Sequence, residues 1–215
     1  PGWRVRGLTR GDFDLTDFDP DAEVKLVTAA LYPLSNRSDR EIEERVRRMS
    51  IEERVAVLRA FEGDRGNRRH RPGRALERPS YRFDVLADYG AFRDLQRHRM
   101  LTLDWQRLSP DHGYVMPEDV GHAGLAEEFK GAMDRSGSLH EALAKPFPEQ
   151  APYAVSLAYR VRFLMHMNAR EAMHVLELRT TPQGHPAYRR VCQEMHRLVA
   201  ERAGHHAVAA MMRFV

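Results

Sequence analysis

Residues 168–179 read NAREAMHVLELR, and this stretch decides the fold. Asn168 stands where a helix N-cap belongs, because its short side-chain oxygen can accept a backbone N–H two or three residues on. The helix it opens is expected to run to about Leu178. Arg170 and His174 lie four apart and share one face, whereas Met173 and Leu176 turn to the other side and form a packing face. Arg179 comes at the helix end, one turn beyond His174 and near enough to join a site with it. The plainest reading of such a face is a solvated one, with Arg179 a counter-charge to the last carbonyls.

Outward from this helix the same rules apply. Residues 157–167 are strongly apolar, with Arg160 and Arg162 alternating among them. The segment 180–186 breaks the chain before a last long helix over 187–203. Nearer the amino end, Ser38 with Glu41 and Ser50 with Glu53 have the form of capping boxes and announce two helices, the second ending at Gly63. Residues 24–32 are apolar and stop at Pro33, as a buried strand or a short helix would. Residues 63–74 read as a basic loop. Tyr81, Phe83 and Val85 alternate with Arg82 and Asp84, the pattern of a half-buried strand. A helix follows over 88–99, then an extended stretch over 101–105. Residues 125–133 and 140–144 read as two helices joined at Ser136-Gly137-Ser138. Residues 1–22, rich in Asp, Gly and Thr, read as a loosely attached arm, and 23–215 as a single α+β domain.

Composition bounds what such a domain can do. Lys25, Lys130 and Lys145 are the only lysines among 34 basic residues, so arginine dominates. A genome that favours arginine codons explains this, and so does anion recognition, since guanidinium forks grip phosphate at two points. Acidic residues interleave with the basic ones, and the net charge is only +3, which disfavours bulk nucleic-acid binding. No apolar run approaches the ~20 residues of a membrane-spanning helix. Cys192 stands alone, which points to a reducing cytoplasm. The chain begins Pro1-Gly2-Trp3 without an initiator methionine and reads as a trimmed chain or part of a longer polypeptide. His205-His206 and His166 with His174 read as having no cysteine or carboxylate at metal-ligand spacing, so no metal site is expected. Phosphate-binding glycine loops and a serine-hydrolase elbow are missing too.

A second constellation, Arg97-His98-Arg99, falls where helix gives way to extended chain. Three consecutive polar cations cannot all face a core, so at least two point to solvent or to a bound anion. A merely charged helix end is the plain alternative.

Together the two segments resemble the flavin-dependent thymidylate synthases. Arg97-His98-Arg99 looks like the triplet that opens that family's signature. Residues 168–186 are similar to its second motif, a helix of the form N-x-R-x-x-x-H-F-L-x-L-R followed by a short polar turn. The two occur in the family's order, about 70 residues apart. The resemblance implies that family's fold, a central mostly antiparallel sheet flanked by helices, and a homotetramer. It implies FAD contacts from Arg97, His98, Arg99, Asn168, Arg170 and His174, with Arg97 also facing a nucleotide. Arg179 would hold the uracil of deoxyuridylate and bias its electron density toward attack at carbon 5. Reduced nicotinamide cofactor (NADPH) and methylenetetrahydrofolate would be co-substrates, and the enzyme would use no nucleophile of its own.

The departures are equally specific. Beyond the triplet, Trp105 stands for the family's glutamate, Arg107 for its second serine and Ser109 for its arginine, all groups that hold the nucleotide phosphate. Arg107 could compensate from a register two residues away. Arg78 stands for a family histidine and could still meet a phosphate, and Asp94 replaces a glutamine. Each charge-assisted phosphate contact contributes roughly 1.5–3 kcal/mol, so losing two weakens nucleotide binding ~100-fold or more. Two readings follow: an enzyme that methylates deoxyuridylate or a related pyrimidine nucleotide, or a non-catalytic flavin- or nucleotide-binding homologue or half-domain that completes a site on a partner subunit.

Overall fold

The computed structural model describes residues 8–215. Its strands β1 (Phe13–Phe18), β2 (Ser80–Asp88), β3 (Thr102–Trp105) and β4 (Arg160–Asn168) form one sheet in the order β1-β2-β4-β3. The helices are α1 (Ala22–Leu31), α2 (Asp39–Arg48), α3 (Ile51–Glu62), α4 (Tyr89–Leu95), α5 (Glu118–His122), α6 (Ala126–Ala144), α7 (Ala169–Arg179), α8 (Pro186–Glu201) and α9 (His206–Met211). The architecture is the expected mixture of helix and antiparallel sheet. No described helix is long and apolar enough to cross a membrane.

Two joints in this order share one construction. Strand β2 ends on Asp88, whose Oδ1 accepts the Ala91 N–H at 2.7 Å and caps α4. Strand β4 ends on Asn168, whose Oδ1 accepts the Glu171 N–H at 2.9 Å and caps α7. In each case a single side chain satisfies an otherwise orphaned helix donor, and strand passes to helix without a loop.

The chain divides into two compact units. The first comprises the described residues up to Phe13, then Asp84–Arg97 and Leu103–Leu164. Its core contains Phe92 packed against Phe163 with ring centroids 4.9 Å apart and planes tilted by 55°, and a cluster of Tyr114, Met133, Val155 and Tyr159. Here α6 departs from expectation, because it runs unbroken through Ser136-Gly137-Ser138. The Ser136 hydroxyl donates to the Ala154 carbonyl and accepts from Ser156 at 2.8 Å, while Gly137 is buried. These tertiary contacts outweigh the weak helix propensity of serine and glycine. Arg160, buried, donates to Asp12. Burial opposes ionisation of Asp12, yet hydrogen bonds from Thr9 and the Arg160 charge outweigh it and hold the carboxyl below its ordinary value.

The second unit comprises Asp14–Phe83, His98–Thr102 and Met165–Val215. Both capping boxes form as read, at Ser38 with Glu41 and at Ser50 with Glu53. Gly63 ends α3 with φ of 64°, a conformation that glycine adopts without strain. Residues 24–32 resolve as helix, since α1 covers most of them and packs against α2 and α3. Many arginines pair with carboxylates one turn away, as Arg40 does with Glu44 and Arg47 with Glu43. Such pairs account for part of the arginine excess without any ligand.

The expected loose arm is corrected where it can be described. Phe13–Phe18 is strand β1, with Phe13 and Leu15 buried, because its apolar residues alternate with polar ones and suit one covered face. Residues 1–7 lie outside the described residues. Arg97-His98-Arg99 lies past the end of α4, which stops at Leu95, and not within the helix.

In this unit the Tyr81 hydroxyl lies 3.0 Å from Nδ1 of the buried His205. Burial lowers the His205 pKa from its ordinary 6.5, against the pull of Glu23 and Asp19. The folded chain thus binds fewer protons there than the unfolded chain, and stability falls as pH drops below 6.5. The urea midpoint is expected to decrease between about pH 7 and about pH 5.5, with a smaller decrease in His205→Gln. Asp12 titrates in a lower window, below 3.8, and does not contribute to that change. Equal slopes in the two proteins would exclude His205 as the cause.

Candidate functional site

In the second unit, the loop after α4 and helix α7 meet. Arg179, the last residue of α7, donates from Nε to His98 Nε2 at 2.9 Å. Glu171, in the first turn of the same helix, brings Oε1 to 3.6 Å from His98 Nδ1. The His174 ring crosses that of His98 with centroids 5.6 Å apart and planes at 70°. The Arg179 guanidinium also lies over the Tyr188 ring, 5.4 Å from its centroid, within cation–π range. His98 is almost entirely covered, with 6% of its side chain exposed. Thus His98, His174 and Arg179, read from segments some 80 residues apart, converge.

Arg99 and Asn168 converge at a neighbouring place. They line an open cleft of about 480 Å³ with Ser80, Met100, Leu101, Thr102, His166 and Met167. Guanidinium, carboxamide and imidazole groups there stand beside a floor of methionine and leucine. Polar donors and apolar side chains are thus mixed along this open cleft.

The remaining candidates go elsewhere. Arg170 stands four residues before His174 on α7, and its guanidinium is tied down by protein groups. Its Nε donates to the Pro72 carbonyl and its Nη1 to Glu77, both at 3.1 Å. Arg78 faces Asp39 at 3.6 Å on the surface. In the first unit, Arg97 is exposed and pairs with Asp94 at 3.4 Å. Arg107 lies 3.6 Å from Glu149 and lines a second cleft of about 590 Å³ with Ser109, Asp111, His112 and His140. Trp105 stands 57% exposed, with its ring 5.7 Å from Phe92.

Some residues of the site carry no signal in the sequence. Glu171 looks like an N-terminal helix acid of the common kind, and nothing local marks it as the neighbour of His98. Tyr188 and His166 reach their places only through the fold. Glu177 lies between His174 and Arg179 but turns inward. It forms a two-point ion pair with Arg65, Nη2 to Oε2 at 2.7 Å and Nη1 to Oε1 at 3.0 Å. Arg65 belongs to the segment that read as a basic loop, and it is buried. It reaches the Met211 carbonyl at 3.2 Å and the His70 carbonyl at 3.1 Å.

The model of the family described as thymidylate synthase complementing protein matches residues 14–204. Among curated relatives, a UPF0159 protein of Chlamydia pneumoniae is 39% identical over 85% of this chain, and one of Chlamydia muridarum 36% over 92%. A UPF0159 protein of Thermoplasma acidophilum is 32% identical over 89%. The chain spans little more than a third of these relatives, 34%, 37% and 38% of their lengths. Among solved structures, the UMP/dUMP methylase PolB of Streptomyces cacaoi bound with 5-Br dUMP superposes with a TM-score of 0.71. That match has 19% identity and covers 92% of this chain and 94% of the other. The same methylase bound with 5-Br UMP gives 0.70 at 20% identity, over 99% of both chains. At such identities the likeness establishes the fold.

Proposed function

Because the chain belongs to the thymidylate synthase complementing protein family, we propose that it methylates deoxyuridylate or a related pyrimidine nucleotide with FAD, a reduced nicotinamide cofactor and methylenetetrahydrofolate. The observation that carries this reading is the 2.9 Å bond from Arg179 to His98, which joins the two motif segments in one place. Beside it, the cleft of Arg99 and Asn168 has the donors and apolar floor that a ring-plus-diphosphate ligand needs.

The residues fit an FAD. Arg99 offers a guanidinium fork to a phosphate, and Met100 and Leu101 offer apolar surface for a ring. Asn168 gives its oxygen to the helix cap and keeps its amide donors for a ligand. When bound, the flavin supplies the redox chemistry, while the chain supplies position and charge. Arg179, fixed at Nε by His98 and stacked over Tyr188, holds the pyrimidine and draws negative charge onto it, which favours attack from carbon 5. Arg97, Arg170, His174, Arg78 and Arg107 complete this proposal as binding residues. Arg170 would have to exchange its bonds to Pro72 and Glu77 for a ligand. A cytoplasmic homotetramer belongs to the same reading, and light scattering measures the assembly.

Purified chain incubated with FAD is expected to keep the visible flavin absorbance through gel filtration, and to release tritium from carbon 5 of labelled deoxyuridylate when supplied with the folate and reductant. A protein that takes up no flavin ends the proposal. Flavin uptake without tritium release supports the second reading, a non-catalytic homologue or half-domain that completes a site on a partner. Trp105, Arg107 and Ser109, in place of the family's phosphate-holding groups, favour that alternative.

A further inference from the structure

Resting on the reading of Arg179 as the pyrimidine-holding group, we infer that Glu171 and His98 are positioning residues for its guanidinium, and that His98 is not itself a flavin ligand. A ring nitrogen that accepts from a guanidinium N–H carries no proton. His98 Nε2, 2.9 Å from Arg179 Nε, is therefore the bare nitrogen, and the ring proton sits on Nδ1. Nδ1 faces the Glu171 carboxylate at 3.6 Å, an ion-pair distance beyond hydrogen-bonding range. Both neighbours favour the same tautomer. A carboxylate repels a bare nitrogen, and a guanidinium N–H cannot donate to an N–H.

Both nitrogens are thus turned toward protein groups, and neither remains for a cofactor atom. The ring is also almost wholly covered, with His174 across its face. The Glu171 backbone N–H is held by Asn168, which fixes the first turn of α7 from which its carboxylate extends. Arg179 is anchored at the last residue of that helix. His98 bridges them from a separate segment and so fixes the direction of the Arg179 side chain. Misplacing an orienting group by about 1 Å costs roughly 10²-fold in rate, which is the scale on which such a bridge matters.

The test uses Glu171→Ala, Glu171→Gln and His98→Ala beside the parent chain, each checked for folding by circular dichroism. Flavin fluorescence reports FAD binding, calorimetry reports deoxyuridylate binding, and ring nitrogen NMR reports the His98 tautomer. Glu171→Ala and His98→Ala are expected to leave the FAD dissociation constant unchanged and to weaken deoxyuridylate at least tenfold, which is RT ln 10 or about 1.4 kcal/mol. Glu171→Gln, whose amide oxygen still faces Nδ1, keeps most of the affinity. In the parent chain the NMR shows the Nδ1–H tautomer, and Glu171→Ala mixes it with the other form.

Loss of FAD binding in His98→Ala overturns the proposal, as does unchanged nucleotide affinity in Glu171→Ala. A parent chain that binds neither FAD nor deoxyuridylate defeats the functional reading instead. The NMR then decides alone: a tautomer that shifts in Glu171→Ala upholds the bridge, and one that does not removes it.

Discussion

Glu177→Ala is expected to lower the free energy of unfolding by about 3–5 kcal/mol, the range found when one partner of a buried ion pair is removed. Glu177 and Arg65 have side chains only 2% and 3% exposed. Without the carboxylate, the Arg65 guanidinium is left buried with carbonyls and the Met173 sulfur, 3.1 Å away, as its neighbours. For a chain of this size each kcal/mol moves the melting temperature by about 2–4 °C, so the loss is large in a thermal scan. Urea denaturation of Glu177→Ala, Arg65→Met and the double variant Arg65→Met with Glu177→Leu measures it. The double variant is expected to recover most of the stability, because removing both charges leaves neither one buried alone. If the single variants unfold within ~1 kcal/mol of the parent, the pair does not hold the helix in place.

Arg179→Ala has the larger consequence for chemistry. Losing a preorganised donor at developing charge lowers turnover by about 10²–10³-fold. The urea midpoint should change little, because the guanidinium is partly exposed and Tyr188 remains. Arg179→Lys is expected to fail as a rescue, since an ammonium on a flexible stem has neither the Nε–H that His98 accepts nor a planar face for Tyr188. Carbon-5 tritium release measures both variants. Full activity in Arg179→Ala would remove Arg179 from the reaction.

Features written in neighbouring residues were legible in the sequence. Ser38 with Glu41, Ser50 with Glu53 and Asn168 with Glu171 are contacts three residues apart, so helix starts could be located without knowing the fold. The alternation of Tyr81, Phe83 and Val85 likewise gave strand β2. Strand β1 has the same alternation, but the aspartates around it made its segment look solvated. The break expected in α6 fails because Ser136 is held by Ala154 and Ser156, from 18 and 20 residues away. Arg65 and Glu177 are separated by 112 positions, and nothing near either residue announces the other. The site divides in the same way. The motif residues His98, His174 and Arg179 could be nominated from spacing, whereas Glu171 and Tyr188 become meaningful only once α7 and α8 are set in space. Arg170 shares a helix with His174 as its spacing indicated, but nothing near it announced that Pro72 and Glu77 hold its guanidinium.

The loop-free joint at Asn168 sets how this region tolerates changes of length. An α-helix turns about 100° per residue, so one extra residue between Asn168 and Ala169 would alter the angular phase of everything on α7. Glu171 and Arg179 would swing together away from His98, and Glu177 away from Arg65, in a single stroke. No slack upstream could absorb the rotation, because the strand ends on the capping residue itself. A substitution along α7 removes one contact, whereas a shift in its reading frame relative to β4 removes them all, and the same constraint governs α4 behind Asp88.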